Sequence, residues 1–293
     1  MIIVNDMKQE ATKAGKEVIT TGFGCLDALI GGWHNGELVL IGGRPAMGKT
    51  TFITSSLINL SVVNKMPAAV FSLGLCSSQL MNYIRCGLCE GMGEDEYNGI
   101  NLQSQASMII LDRANESIER VRRHSKVLKE AYGIRLIYID WLQLLHCDGR
   151  KFESIEKEVV HIVNELKAMS TELDITVICC CQLTRSTEVW SPNSQLTRST
   201  EKLRPNIEHF GFLSLACADT VIAIHRPDYY RICEDERGND LRGIAELLVL
   251  KSKYGKGGYG RLKFNTSAHL LYEHVREETK EYAVFRKIEN RNL

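Results

Sequence analysis

The chain has 293 residues, of which 44% are hydrophobic and 25% are charged, a composition that excludes an intrinsically disordered protein and allows one large or two small domains. It contains 36 basic and 36 acidic residues, so its net charge indicates no partner, and any nucleic-acid surface must come from local clusters of charge. No apolar run approaches the ~20 residues of a membrane span, and the N-terminus lacks a signal-peptide pattern, which predicts a cytoplasmic protein without a membrane partner.

Short apolar runs alternate with longer helical patterns after a polar N-terminal stub. The predicted strands cover residues 37–42, 68–73, 107–111, 134–140, 174–181, 219–225 and 244–252. Apolar residues at spacings of three and four predict a helix with one face on the sheet, and they are Ile155, Val159, Ile162, Leu166, Met169 and Leu173. Residues 261–265 and 270–274 follow a glycine-rich segment and predict a terminal hairpin. The alternation is typical of a parallel sheet with crossover helices.

Residues 43–50 match the complete phosphate-loop pattern GxxxxGK[ST], between an apolar strand and a helix-like run. Glycines allow consecutive backbone N–H groups to converge on an anion, and the following helix directs its positive end to the same place. Lys49 adds a charge for the β- and γ-phosphates, and the Thr50 hydroxyl suits Mg²⁺. The predicted nucleotide-binding residues are Gly43, Arg44, Pro45, Ala46, Met47, Gly48, Lys49, Thr50 and Thr51. The alternative, a chance glycine turn, is disfavoured by the strand and helix on either side.

Two polar residues end later apolar strands. Asp140 follows the run Leu136 to Ile139 and is the candidate for the carboxylate that a phosphate-loop enzyme uses to hold Mg²⁺. Gln182 ends the next predicted strand and is a candidate for a hydrogen bond to the γ-phosphate or to the attacking water. A buried aspartate that caps a turn and an ordinary polar strand end are the respective alternatives.

The ten cysteines predict reduced thiols rather than a disulfide framework. Cys179, Cys180 and Cys181 lie within a strand-like run, where cysteine behaves as a small buried apolar residue. Cys86 and Cys89 have CxxC spacing, but no second pair or paired histidines lie close by in the sequence, which disfavours a zinc site.

Several motifs occur in the order seen in one helicase family. They are Thr21 to Asp27, Gly31 to Trp33, Arg44 to Phe52, Phe71 to Leu73, Ile139 to Leu144, Gln182 to Arg185 and His225 to Tyr230. Over roughly residues 15 to 275 the chain resembles the C-terminal, RecA-like motor domain of bacterial replicative DNA helicases of the DnaB type. The resemblance implies an α/β P-loop NTPase fold, with a mostly parallel twisted sheet flanked by helices and a C-terminal β-hairpin. It divides the chain into a linker remnant at 1–16, the motor domain at 17–275 and a charged tail at 276–293.

The resemblance implies an ATP-dependent DNA helicase with ATP and Mg²⁺ as cofactors. Lys49 and Thr50 would bind phosphate and Mg²⁺, Asp140 would be the second Mg²⁺ carboxylate, and Gln182 would sense the γ-phosphate. Members of the family resemble rings of six subunits that thread one DNA strand, with ATP between neighbours. Lys251 and Lys253 correspond to the cationic finger that one subunit inserts into the site of the next. A primase or a helicase loader is a further implied partner.

The loop in which the family contacts single-stranded DNA is basic in this chain. Arg185, Arg198, Lys202 and Arg204 are the predicted DNA-binding residues, since cations there would bind backbone phosphates. A solvated loop is the alternative, because Glu188 and Glu201 offset part of the charge. Residues 182–188 and 195–201 carry the same sequence, and we assign no function to this duplication.

The chain departs from the family pattern where hydrolysis is concerned. Gly74 stands where the family has the glutamate that polarises the attacking water, and a positioned general base is worth ~10²- to 10⁴-fold in rate. Lys253 stands where the family usually has an arginine, so charge is kept but the bidentate fork is lost. An apolar segment around residues 209–215 replaces a polar one that faces DNA in the family. These departures predict slow hydrolysis.

Three functions follow from these observations. The first is a helicase motor domain that couples ATP hydrolysis to translocation and unwinding. The second is a degenerate nucleotide-gated ring or DNA-binding protein descended from the helicase, which Gly74 favours. The third, a RecA-like recombinase or regulatory ATPase, is disfavoured by the ordered motifs.

Overall fold

The computed structural model describes residues 2–4, 18–92, 107–183, 204–211, 213 and 215–273. Within these ranges the strands form one 10-stranded sheet. The strands are β1 (Ile2–Val4), β2 (Leu38–Gly43), β3 (Ala68–Ser72), β4 (Met108–Leu111), β5 (Leu136–Asp140), β6 (Thr176–Gln182), β7 (Thr220–His225), β8 (Ile244–Lys251), β9 (Gly258–Asn265) and β10 (Leu270–Tyr272). The α-helices are α1 (Gly24–Ile30), α2 (Lys49–Leu57), α3 (Ser77–Met92), α4 (Ile118–Tyr132) and α5 (Ile155–Glu172).

The centre of the sheet is parallel and its two ends are antiparallel. The strand order is β1-β4-β3-β5-β6-β2-β7-β8-β9-β10, and every neighbouring pair from β4 to β7 is parallel. β8 and β9 continue the sheet in antiparallel fashion, and β1 pairs antiparallel with β4 at the other edge. β9 and β10 form the predicted terminal hairpin, although β9 already begins at Gly258. The mostly parallel α/β sheet with a C-terminal hairpin is therefore confirmed.

The antiparallel direction of β8 was not predicted. Between His225 and Ile244 the described chain contains a short 3-10 helix, Pro227–Tyr230, and no crossover helix. Because a parallel connection needs a crossover of a dozen or more residues, usually a helix, the chain returns beside β7 in the opposite direction.

The sheet separates two apolar clusters, one on each face. Along β2, Val39 and Ile41 belong to the cluster that includes α2 and α3, whereas Leu38 and Leu40 belong to the cluster under α4 and α5. This alternation follows from the period of two along a strand. It leaves a central strand such as β2 buried on both faces.

The predicted apolar face of α5 is buried except at its first residue. Val159, Ile162, Leu166 and Met169 are buried against the sheet. Ile155 is 73% exposed, so its predicted place in the core is wrong. The helix begins at Ile155 after the cap residue Ser154, and the apolar contact with the sheet starts only one turn later.

The cysteines of β6 are buried, as predicted. Cys180 faces one apolar cluster, and Cys179 and Cys181 face the other. Burial raises the pKa of the Cys181 thiol to about 12, which fits a small apolar side chain. On α3, Cys86 is exposed and Cys89 is partly buried, and the described part of the chain holds no group of three or more His, Cys, Asp or Glu side chains suited to a metal. None of the described helices is long and apolar enough to cross a membrane.

Candidate functional site

The phosphate loop joins the end of β2 to the start of α2. It contains two residues in the left-handed region, Ala46 at φ 62° and Gly48 at φ 97°. The ammonium of Lys49 donates hydrogen bonds across the loop to the carbonyls of Gly43 at 2.8 Å and Arg44 at 3.1 Å. Burial lowers the pKa of Lys49, against the opposing attraction of nearby groups that include Asp140. The ammonium is therefore held within the loop, where a bound phosphate would compete with these carbonyls.

Thr50 and Asp140 meet beside Lys49. The Thr50 hydroxyl donates to Oδ2 of Asp140 at 2.7 Å. Asp140 is only 3% exposed, and its Oδ1 is buried with no hydrogen-bond partner among the described residues. Burial raises the pKa of Asp140, while Thr50 and Lys49 act in the opposite direction. A hydroxyl and a carboxylate with a spare acceptor atom are oxygen donors of the kind that Mg²⁺ prefers, so these two residues fit an Mg²⁺ site.

Gln182 lies between the two strands that carry this site. Its backbone pairs with Gly43 of β2. On its other side the carboxamide of Gln143 accepts from Gln182 N at 3.1 Å and donates to Gln182 O at 3.0 Å. β5 ends at Asp140, so the Gln143 side chain takes the place of the next strand residue. Gln143 has no role predicted from the sequence, because nothing in the local pattern shows this contact.

The predicted nucleotide-binding residues divide into two groups. Gly48, Lys49 and Thr50 are partly buried at the start of α2, and Ala46 is exposed. Arg44, in contrast, is 3% exposed, and its Nη1 donates to the Tyr230 hydroxyl at 3.0 Å. The side chain of Arg44 thus anchors the loop to the protein, and its contribution to phosphate binding is limited to the backbone. Of the remaining predicted residues, Gly43, Met47 and Thr51 are buried and Pro45 is partly buried.

Lys251 and Lys253 lie at the opposite edge of the sheet from the phosphate loop. Lys251 pairs with Val221 near the start of β7, and its ammonium donates to the carbonyls of Leu215 at 2.8 Å and Ala218 at 2.6 Å. Lys253 is 55% exposed and lies 3.5 Å from Oδ1 of Asp219. Neither lysine can serve the phosphate loop of its own chain from this edge, so their predicted role requires a neighbouring subunit and stays a prediction.

Among the predicted DNA-binding residues, only Arg204 falls within the described ranges, and Arg185, Arg198 and Lys202 lie outside them. Arg204 forms two hydrogen bonds with the buried carboxylate of Glu246, at 2.7 and 2.8 Å. Its guanidinium also lies over the ring of Tyr259, 4.3 Å from the centroid. These contacts give Arg204 a structural role, and its predicted DNA contact stays a prediction.

Gly74 faces an aromatic ring. A Cβ atom placed on Gly74 would lie 2.7 Å from Cζ3 of Trp141, closer than side chains pack. The indole therefore occupies the space into which a side chain at position 74 would project. Glu90, a possible substitute for the missing carboxylate, accepts a hydrogen bond from Asn265 at 3.0 Å instead.

A parallel sheet with its phosphate loop at the carboxyl end of a central strand, followed by Lys49, Thr50 and the paired Asp140, defines a P-loop nucleotide-binding domain. Within this class the chain belongs to the family of DnaB-like helicase C-terminal domains, which matches residues 18–272. The resemblance and the fold class drawn from the motifs are thereby confirmed. The predicted ends of the domain at 17 and 275 remain predictions.

The relatives of this chain are replicative helicases. It is 28% identical to the replicative DNA helicase DnaB of Geobacillus stearothermophilus, over 84% of this chain and 54% of the relative. It is 27% identical to the replicative DNA helicase DnaC of Bacillus subtilis, with the same coverage of both chains. The chain thus spans about half the length of these relatives.

Two solved structures share the fold. One is an isolated ATPase domain, which superimposes with a TM-score of 0.72 and 23% identity, over 89% of this chain and 92% of that one. The other is a DnaB-like replicative helicase, whose structure addresses its interactions with primase, and it gives a TM-score of 0.73 at 23% identity, over 91% of this chain and 66% of that one. At this identity the likeness concerns the fold alone.

Proposed function

We propose that the chain is the motor domain of a DnaB-type replicative helicase, which couples ATP hydrolysis to translocation on single-stranded DNA and to duplex unwinding. The observation that carries the proposal is the contact between Thr50 and Asp140, at 2.7 Å, next to the Lys49 ammonium. The membership of the chain in the DnaB-like family supports the choice of an unwinding enzyme over other P-loop proteins.

ATP and Mg²⁺ are the proposed cofactors. The loop from Gly43 to Thr50 would hold the triphosphate through its backbone N–H groups and through Lys49, as phosphate loops do. Thr50 and Asp140 would hold Mg²⁺, which neutralises charge on the phosphates during transfer. Gln182, at the end of the strand next to β2, would orient the γ-phosphate or the attacking water.

The proposed partners are single-stranded DNA and further copies of the chain in a six-membered ring. The position of Lys253 supports the assembly, since it is exposed at the edge of the sheet away from its own phosphate loop. A cation there acts on ATP only across a subunit boundary. A primase or a loader is a further proposed partner, in line with the primase interactions studied for one structural relative.

Strand displacement tests the proposal directly. We expect the protein to release the labelled strand of a duplex with a single-stranded tail in the presence of Mg-ATP, with turnover stimulated by single-stranded DNA. The same mixture with a non-hydrolysable ATP analogue is the control and should leave the duplex intact. Binding of Mg-ATP and DNA without displacement by assembled rings would contradict the motor function and favour the second candidate.

The second candidate is a nucleotide-gated ring or DNA-binding protein without effective hydrolysis. The contact between Gly74 and Trp141 favours it, because the site has no carboxylate at position 74 and an indole fills the space in front of it. A ring of this kind would use ATP occupancy, rather than turnover, to hold its subunits together.

Paired substitutions at Gly74 and Trp141 separate the two candidates. If Gly74 limits hydrolysis, Gly74→Glu alone should leave ATP turnover near that of the parent, because its Cβ meets the indole at 2.7 Å. Combined with Trp141→Ala, which clears the space, it should raise turnover by roughly 10²-fold, the typical value of a general base. Trp141→Ala alone is the control, and phosphate release is the measurement. Parent turnover that the double variant does not exceed would reject the view that Gly74 is a defect.

A further inference from the structure

Three residues from the C-terminal half of the chain contact the outer side of the phosphate loop, at every second loop position. The Tyr230 hydroxyl accepts from Arg44 Nη1 at 3.0 Å. Arg226 Nη1 donates to the carbonyl of Ala46 at 3.3 Å. Phe264 packs on Gly48 so closely that a Cβ there would lie 2.4 Å from its Cε2. The loop is thus contacted along its length by β9 and by the segment after β7.

Arg226 connects these contacts to one another. Its guanidinium lies over the ring of Phe264, 3.9 Å from the centroid, and its Nη2 pairs with Oδ2 of Asp228 at 3.3 Å. The same carboxylate oxygen accepts from the backbone of Gly243 at 3.2 Å. The side chain of Arg226 is only 13% exposed. A guanidinium that is both stacked and paired has a fixed orientation, which a lysine ammonium in its place would not share.

The conformation of Ala46 gives this contact a purpose. Ala46 has a φ of 62°, a left-handed conformation that residues with a Cβ atom disfavour and that persists only where the surroundings enforce it. The peptide group that follows Ala46 receives the Arg226 hydrogen bond at its oxygen. Its orientation, and with it the direction of the next N–H group in the loop, therefore depends on Arg226.

We propose that Arg226 is a positioning residue that holds the phosphate loop in its nucleotide-binding conformation before the nucleotide arrives. This inference rests on the nucleotide binding proposed above. It concerns the affinity for the triphosphate, because a loop that must be reordered on binding loses affinity in proportion to the fraction of time it spends in the wrong conformation.

The affinity of purified protein for ATP with Mg²⁺, measured by calorimetry, tests the proposal. We expect Arg226→Ala to weaken binding about tenfold, the size of the penalty that a non-glycine residue meets in the left-handed region. Arg226→Lys should recover only a small part of the loss. Arg242→Ala removes an exposed arginine that pairs with Asp240, and as a matched control it should bind like the parent.

A second background tests the link to Ala46. Glycine adopts a positive φ about as readily as a negative one, so Ala46→Gly should make Arg226 less necessary. We expect Arg226→Ala to weaken binding less than threefold when it is combined with Ala46→Gly. An equal loss in both backgrounds, or an Arg226→Ala variant with parental affinity and melting temperature, would overturn the proposal.

The parent and Lys49→Ala complete the experiment. ATP binding by the parent that is lost in Lys49→Ala supports the proposed function, and the Arg226 variants then decide on the positioning role. An absence of binding by the folded parent would overturn the proposed function itself, which is a different outcome from a failure of Arg226 alone.

Discussion

Replacing Lys49 with alanine is expected to weaken the binding of Mg-ATP by roughly 10²-fold. The ammonium is partly buried and already held by the carbonyls of Gly43 and Arg44, so little order is lost when it turns to a phosphate. Hydrogen bonds to charged groups contribute ~1.5–3 kcal/mol each, and 1.4 kcal/mol corresponds to a factor of ten. Loss of the lysine that the GxxxxGK[ST] pattern specifies therefore accounts for this factor.

The measurement is the equilibrium dissociation constant for Mg-ATP. Lys157→Ala provides the matched control, because Lys157 is an exposed lysine that pairs with Glu153 one helical turn away. It should bind ATP like the parent. If Lys49→Ala retained the parental affinity within threefold, the loop would not be a phosphate site of the usual kind, and the proposed function would lose its basis.

Removing the carboxylate of Glu246 is expected to cost about 3–5 kcal/mol of folding stability, the usual cost of breaking a buried ion pair from one side. Glu246 is fully buried and accepts hydrogen bonds from Arg204, at 2.7 and 2.8 Å, and from Arg261 at 3.1 Å. Glu246→Ala leaves both guanidinium groups without this partner. The melting temperature should fall on the order of 10 °C.

An exposed ion pair provides the comparison for Glu246. Glu153→Ala removes the partner of Lys157 at the surface, where such pairs contribute less than about 1 kcal/mol. Thermal melting of the two variants should therefore differ by several degrees. Similar melting temperatures for both would show that Arg204 and Arg261 find other partners, and that the buried network is not needed for stability.

The pH dependence of the Glu246 contribution has a definite sign. Burial alone would raise the pKa of this carboxyl, but Arg204 and Arg261 hold it below its ordinary value. A carboxyl with a lowered pKa in the folded state stabilises the protein above its unfolded pKa, and this contribution is lost as the pH falls through the folded value. The difference between parent and Glu246→Ala should therefore be full at neutral pH and shrink under acid conditions.

The elements that were predicted well are those written in local patterns. The parallel strands around the phosphate loop are continuous apolar runs, and their predicted ends agree with the structure within about two residues. The phosphate loop depends on a spacing within eight consecutive residues. Asp140 was recognisable because a polar residue after a buried strand lies where parallel sheets bind ligands.

The features that were missed depend on contacts between distant parts of the chain. Arg226 and Phe264 reach the phosphate loop from residues about 180 and 216 positions further on, 226 − 46 and 264 − 48. Trp141 meets Gly74, and Gln143 meets Gln182, across neighbouring strands. No periodicity within a segment reports such pairs. The antiparallel β8 was missed for a related reason, since strand direction is set by the connection and not by the strand's own residues.

The three cysteines in the middle of β6 provide an intrinsic probe of unfolding. Cys179, Cys180 and Cys181 have no solvent exposure, whereas Cys76 and Cys86 are exposed at the start and along the length of α3. A thiol-modifying reagent should therefore label the α3 cysteines at once and the β6 cysteines only when the centre of the sheet separates. The slow phase of labelling measures how often that separation occurs, without any added fluorophore.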